Sequence, residues 1–470
     1  MDGSSRPHPP LVAMKRALAL LLALAATALA RPNIVFIIAD DLGYGDLSCY
    51  GQKNFQTPAL DRLAASGLRF TDHYSGATVC APSRCTLMTG LDTGRCTIRG
   101  NGEFTLRPDP ADTTIARLLK NSGYRTAMIG KSCVTGNTQN PADVLAKGFD
   151  VFYGTTSHVD GHWRYPRFVY DQEKRVELSG NALHRGRHYD VHLYTRKALG
   201  FIESQTSERP FFLLLSYPVP HASVLAPPAA IPGGAGKAPG QAHYTPVSDP
   251  KAHYAALVRA LDDAVGQIAA ALARKGLDQD TLILFTSDNG SHFEGGYHPR
   301  MLQSNGPLRG GKRDLFEGGI RVPLIAHWPA GIKKPATSAQ PCGFVDFLPT
   351  ACELAGIAPP AALDGHSYAP LLRGGEMPDR SRPLYWESHE NDGRRAMRDG
   401  RWKLVQYDLQ PAPGKPPGEP MLFDLDADPG ESENLAAAHP GRVEKMLAWM
   451  KSHRRPAPWF PLPALDSPAP

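Results

Sequence analysis

Three stretches of this chain, PNIVFIIADD from Pro32, PFFLLLSY from Pro210 and TLILFTSDNG from Thr281, are apolar without alternation. A strand with one wet face alternates apolar and polar side chains, so unbroken apolar runs of this length point to strands covered on both faces. Segments with helical spacing lie between them. TPALDRLAASG opens with a Thr57 cap and Pro58 and stops at Gly67, and ADTTIARLLKNSG leads straight into the strand YRTAMIG. HYAALVRALDDAVGQIAAALARKG sets Tyr254, Leu257, Leu261, Val265 and Ile268 on one face, which reads as core. Strand and helix alternating over roughly three hundred residues predicts an α/β fold: a large mixed, mostly parallel sheet, doubly wound between helices. In that architecture ligands lie beyond the carboxyl ends of the strands.

The character of the chain changes near LLRGGEMPDRSRP. RPLYWES, RRAMRDGRWKLVQY and MLFDLDADPGES read as three strand-like segments, and GRVEKMLAWMKSH as a helix. The expected organisation is an α/β unit over 31–380 and a small antiparallel sheet plus helix over 381–470, with the Pro-rich end after Arg455 as a peripheral tail. LAPPAAIPGGAGKAPGQ, from Leu225, is a loop close to His221.

At the other end, MKRALALLLALAATALA from Met14 pairs two basic residues with an apolar run too short to span a bilayer and closes on Ala28-Leu29-Ala30. This predicts a secretory signal peptide over 1–30 and an exported, periplasmic or secreted product with no membrane span after signal removal. A net charge of +5 over 470 residues, without a basic block, argues against nucleic acid as a partner. The seven cysteines include no CxxC spacing, which argues against structural zinc, and their odd number leaves one outside any pairing within the chain.

Two of the apolar strands end in paired oxygen ligands, Asp40-Asp41 and Asp288-Asn289. In one parallel sheet such ends converge, and four side-chain donors of this kind make an anionic half-shell for a hard cation such as Ca²⁺. Asp and Asn also follow strands simply as turn formers. CAPSRCTLMTG, from Cys80 to Gly90, can be read alone as a disulfide of Cys80 with Cys85 or Cys96, or as a reactive site.

Taken in chain order, Asp40-Asp41, CAPSRCTLMTG, GYRTAMIGK, SYPVPH, SDNG and GPLRGGKRDLFEGGIRVP resemble the formylglycine-dependent, arylsulfatase-like sulfatases of the alkaline phosphatase superfamily. The pattern C-x-P-S-R-x-x-L-x-T-G is met at Cys80, Pro82, Ser83, Arg84, Leu87, Thr89 and Gly90, and the resemblance runs from Arg31 to about Ala437. It implies an alkaline phosphatase-like fold and hydrolysis of sulfate monoesters of a carbohydrate or aryl alcohol. It also implies that a maturation enzyme oxidises Cys80 to formylglycine, whose hydrate is the nucleophile. A geminal diol can attack through one oxygen and expel sulfate from the other, a route that an unmodified Ser or Cys lacks. The resemblance assigns Ca²⁺ to Asp40, Asp41, Asp288, Asn289 and the modified Cys80. It has Arg84 orient the nucleophile, Lys131 and Lys312 contact sulfate, and Lys312 or His221 protonate the leaving oxygen.

One position departs from the family. Where G-K-x-H is usual, with the histidine as base in sulfate elimination, this chain has Gly130-Lys131-Ser132-Cys133. Either Cys133 takes part, another group substitutes, or turnover is impaired. On the substrate side, SHVDGHWRYP offers His162 as a sugar ligand or is a packed loop, and His292 lies close to Asn289 in the chain. His389 and Glu390 of the smaller unit can close the pocket from the other side. Two competing functions are a phosphonate or phosphodiester hydrolase of the same superfamily and a non-catalytic binder of sulfated glycans.

Overall fold

The computed structural model describes residues 31–231, 244–378, 380, 382–412 and 415–466. The segment expected to be a signal peptide lies outside them, as does most of the Pro/Gly loop after Leu225. Among the described residues sixteen strands follow in order: β1 Asn33–Asp40, β2 Leu68–Phe70, β3 His73–Tyr74, β4 Arg125–Lys131, β5 Val151–Thr155, β6 Phe168–Asp171, β7 Lys174–Glu177 and β8 Phe211–Pro220. Then come β9 Thr281–Ser287, β10 Leu324–His327, β11 Ala336–Ser338, β12 Cys342–Gly343, β13 Leu384–Ser388, β14 Arg394–Asp399, β15 Trp402–Gln406 and β16 Met421–Asp424.

The large sheet has the order β11-β2-β10-β9-β1-β8-β4-β5-β6-β7. Its centre is parallel: β1 lies between β8 and β9, and β4 joins β8 to β5. Antiparallel pairs appear toward both edges, through β10 on one side and β6 and β7 on the other. Every residue of β1, β8 and β9 is buried, which is why none of them alternates. Val35, Ile37 and Ala39 enter one core layer and Ile34, Phe36 and Ile38 the other, so β1 divides the two apolar masses. The expected face of the helix Pro250–Arg274, from Tyr254 to Ile268, is fully buried in the first layer.

The helix Pro58–Ser66 starts where expected, but Thr57 does not cap it. The Thr57 hydroxyl is engaged with Ser48, and the Asp262 carboxylate from the long helix accepts from Ala59 N and Leu60 N at 3.0 and 2.8 Å. The cap is therefore tertiary, and it ties the two helices together.

Past residue 381 the three expected segments are four strands. RRAMRDGRWKLVQY folds back on itself at Gly400, whose φ of +58° favours glycine, giving β14 and β15 of the antiparallel sheet β13-β14-β15-β16. One face of that sheet carries Trp386, Ala396, Val405 and Phe423 onto Tyr74 and Ile320 of the large unit. The other packs Tyr385, Met397, Leu404 and Leu422 on Val443, Met446 and Met450 of the helix Pro440–His453.

The described part of the Pro-rich tail, to residue 466, is not peripheral. Phe460 and Leu462 are buried, Arg454 Nε donates to Glu387 at 2.7 Å, and Arg455 N donates to Gly94 O at 2.8 Å. Arg99 Nη1 completes the clamp by donating to Arg455 O at 2.7 Å. All seven cysteines are free thiols. Among the described residues, no helix is long and apolar enough to cross a membrane.

Candidate active site

The parallel register of β1 and β9 pairs Ala39 with Ser287, so the residues that follow, Asp40-Asp41 and Asp288-Asn289, lie side by side. Asp41 turns off the strand in the left-handed region, with φ of +65°, and its N–H donates to Asp288 Oδ1 at 3.1 Å. Asn289 Nδ2 donates to Asp41 Oδ1 at 2.6 Å, while Asn289 Oδ1 is buried with no hydrogen-bond partner. All four side chains are inaccessible to solvent. An unmet buried acceptor among three carboxylates costs free energy unless a cation takes it up, and the donors are the hard oxygens that a divalent ion such as Mg²⁺ or Ca²⁺ prefers. Ligand atoms of Asp40, Asp41, Cys80 and His221 fall within 4.8 Å of one another.

Cys80 is the first residue of the helix Cys80–Thr89, all ten residues of which are buried. That helix begins without a cap from its own preceding residue, and Asn101 Oδ1 accepts from Ala81 N at 3.1 Å instead. Cys80 Sγ lies 3.4 Å from Asp40 Oδ1. Burial, then Asp40, push the Cys80 thiol far up from its usual pKa, so the unmodified residue is a protonated thiol and a poor nucleophile.

Arg84, one turn along, reaches the same place. Its Nε and Nη2 meet Asp288 Oδ2 at 2.9 and 2.8 Å, and Nη2 is 3.7 Å from Asp40. Lys131 closes β4 and holds Asp40 Oδ2 at 2.5 Å. Gly130 before it, with φ of +109°, allows this approach, because a Cβ there would stand 1.9 Å from Ser216 O. Lys312 Nζ lies 2.8 Å from both Asp41 Oδ2 and His221 Nε2. The His221 Nδ1–H donates to the carbonyl of Ala222, so its Nε2 accepts from Lys312 and the ring is neutral. Burial, then Lys312, hold the His221 pKa well below the usual imidazole range.

Three carboxylates therefore face three cations: Asp40, Asp41 and Asp288 against Arg84, Lys131 and Lys312. Burial pushes Asp40 up, but the charges of Lys131 and Arg84 outweigh it and hold Asp40 well below the carboxylate range. Asp288, facing Asp40 in the same buried space, is pushed to about 7 by burial and that neighbour. A bound dication would leave the balanced cluster net positive, which suits an anionic ester.

The predicted residues do not all occupy equivalent positions. His162 is buried, stacks on His221 at 3.8 Å and 13°, and has Nε2 3.5 Å from Lys131 Nζ, so it belongs to the cluster. His292 is fully buried beside His221, with Nε2 3.1 Å from Pro220 O and Nδ1 accepting from Glu294 N at 3.1 Å. Cys133 Sγ accepts from Arg84 Nη1 at 3.4 Å. Sequence reasoning passed over Glu294, which lies 3.8 Å from Lys312, 2.5 Å from Arg313 and 3.2 Å from His292. Its signal was a lone carboxylate in the loop after the second acidic strand end.

A buried ring of three acids and three cations at the carboxyl ends of a mixed α/β sheet, with a cysteine starting the adjacent helix, defines a hydrolase of anionic esters with the alkaline phosphatase-like fold. Residues 32–357 match the family model described as Sulfatase, and residues 311–453 the one described as N-sulphoglucosamine sulphohydrolase, C-terminal. The chain belongs to the sulfatase family and is a sulfuric ester hydrolase. It is 31% identical to the steryl-sulfatase of Mus musculus over 96% of this chain and 88% of that one. It is 32% identical to arylsulfatase A of Homo sapiens over 92% and 89%. Among solved structures, Ps i-CgsB in complex with k-i-k-neocarrahexaose superposes with a TM-score of 0.74 at 27% identity, over 89% of this chain and 93% of that one.

Proposed function

We propose that the enzyme is exported and hydrolyses sulfate monoesters of a carbohydrate or aryl alcohol, with Cys80 converted to formylglycine by a maturation enzyme and Ca²⁺ held by Asp40, Asp41, Asp288, Asn289 and residue 80. The single observation that carries this reading is the 3.4 Å approach of Cys80 Sγ to Asp40 within the charge cluster. The complete match of the cysteine motif supports the conversion, and the unpartnered Asn289 Oδ1 supports the cation. When bound, the cation supplies Lewis-acid charge and the converted residue supplies an oxygen nucleophile.

The remaining work falls to the chain's own side chains. Arg84 keeps Asp288 and Asp40 aligned with a guanidinium that stays charged. Lys131 and Lys312 flank residue 80 and bind the sulfate oxygens. Lys312 donates to the unprotonated Nε2 of His221, so the proton for the leaving oxygen resides on Lys312 and His221 orients it. Residues 1–30 act as the export signal, 31–380 as the catalytic unit and 381–470 as the subdomain. The carbohydrate side of the reading is supported by the neocarrahexaose in the structurally similar protein.

The test is co-expression with a formylglycine-generating enzyme, followed by mass spectrometry of the tryptic peptide carrying Cys80 and an assay of sulfate release. Aldehyde content and sulfate release should rise together. Full activity with an intact thiol would overturn the mechanism, and a higher kcat/KM for phosphate or phosphonate esters would overturn the substrate assignment.

A further inference from the structure

The alternation of charge continues past Lys312. Glu294 Oε1 lies 3.8 Å from Lys312 Nζ and 2.5 Å from Arg313 Nη1, and Arg313 Nε lies 3.5 Å from Glu390 Oε2. Side-chain exposure is 2% at Lys312, 13% at Glu294, 35% at Arg313 and 25% at Glu390, so the row leads from the buried cluster to the surface. Arg313 has φ of +76°, a conformation disfavoured for a bulky residue, and its N–H donates to Thr78 O at 3.0 Å, two residues before Cys80. Ser388 Oγ, at the end of β13, is 3.4 Å from Thr78 Oγ1. Glu390 is therefore carried by the small subdomain to the rim of the Cys80 site.

The charges on this rim do not cancel. Asp41 answers Lys312, which among the described residues leaves Glu294 and Glu390 sharing Arg313, while the neighbouring Arg394 is taken up by Asp314 and Asp392. Such a surface repels a second sulfate or a carboxylate and favours hydrogen-bond donors. Arg313, at 3.5 Å, is the one ion-pair partner of Glu390 among the described residues, which leaves acceptor capacity on this partly exposed carboxylate. On another side Tyr244, 41% exposed, leans over the stacked rings of His162 and His221 at 6.3 and 6.1 Å, and offers a flat apolar face. A flat apolar face and an anionic acceptor are together what a hydroxyl-rich ring requires.

We propose that Glu390, held at the rim by Arg313, is a specificity-determining residue that accepts hydrogen bonds from the hydroxyls of a neutral saccharide bearing the scissile sulfate. This rests on the sulfatase reading of the Cys80 site. The test compares kcat/KM for para-nitrophenyl sulfate, for monosulfates of galactose and N-acetylgalactosamine, and for a glucuronate sulfate, in the matured enzyme and its Glu390→Ala and Glu390→Gln variants. The saccharide-to-aryl ratio of kcat/KM should fall about 10- to 100-fold in Glu390→Ala and less in Glu390→Gln, which keeps one acceptor. A ratio that stays within about twofold in both variants, or a matured enzyme that prefers the uronate, overturns the assignment while leaving the sulfatase reading intact. Absence of sulfate release from all of these esters by the matured wild-type enzyme removes the underlying reading instead.

Discussion

The guanidinium of Arg84 donates to the thiol of Cys133 across 3.4 Å, at the position where the chain departs from the G-K-x-H pattern of its family. Burial pushes the Cys133 pKa up, and Arg84, which pulls it down, does not prevail. The residue is thus a neutral acceptor for a buried cation. Cys133→Ser, which keeps an acceptor there, should change kcat by less than about threefold, whereas Cys133→Val leaves a buried N–H unmet and should cost about 1–3 kcal/mol of stability. Thermal melts and a kcat profile against pH check this. An alkaline limb of that profile that vanishes in Cys133→Ser would make the thiol a proton carrier instead.

Arg84 serves Asp288 through two nitrogens and Asp40 through one, a geometry that an ammonium cannot reproduce. Arg84→Lys should therefore lower kcat by about 10²–10³. Steady-state kinetics with a maturation-competent host decide the point. A loss smaller than about tenfold would mean that only the charge matters.

Dialysis against a chelator should abolish sulfate release, and Ca²⁺ should restore it. Stability should follow the same cycle, because an ion that binds only the folded chain adds about 2.7 kcal/mol at a concentration one hundred times its Kd. Asn289→Ala should shift the Ca²⁺ dependence of both the melting point and the activity to higher concentration. A melting point indifferent to chelator would exclude the ion from this cluster.

Glu387 gives a pH dependence with a definite sign. Burial opposes its charge, yet His389, Arg454 and Arg99 together hold its pKa down to about 2, against 4.5 for a free glutamate. The folded chain therefore binds this proton less readily than the unfolded chain. The resulting stability, about 3 kcal/mol, is complete above the unfolded value and is lost as pH falls toward the folded one. Urea titrations from neutral pH down to about 3 should show a steeper acid loss in the wild type than in Glu387→Gln.

Removal of residues 454–470 takes Arg454 from Glu387 and the Arg455 backbone from Gly94 and Arg99. It also strips Phe460 from Phe104, whose rings lie 4.9 Å apart. The truncated protein should lose about 3–5 kcal/mol, as expected when one partner of a buried ion pair is deleted, and loop 94–104 should become the first site of limited proteolysis. Proteolysis at the same sites and rates in both forms would show the tail to be dispensable.

What could be read from the sequence divides along chemical lines. The buried strands, the two acidic strand ends and the Cys80 motif are local: each is written in consecutive residues, as an unbroken apolar run or a fixed spacing that survives without reference to the rest of the chain. The cap of the helix Pro58–Ser66 is not local. Thr57 is a good candidate by its position, while the group that acts, Asp262, comes from some 200 residues away. Glu294 and the Arg84–Cys133 contact are illegible for the same reason. A carboxylate or thiol acquires its role from partners that only the folded sheet brings to it. The missed strand is a different case, because Gly400-Arg401 between β14 and β15 is turn chemistry that a reading for apolar runs passes over.

The clamp of residues 454–466 on loop 94–104 bears on the order of events during synthesis. Asn101, in that loop, holds the amide beside Cys80, and the Arg455 and Phe460 contacts that brace the loop come from the last sixteen residues of the chain. The wall beside residue 80 is therefore braced by contacts between residues 99–104 and 455–460, which form only once that distant segment has been synthesised.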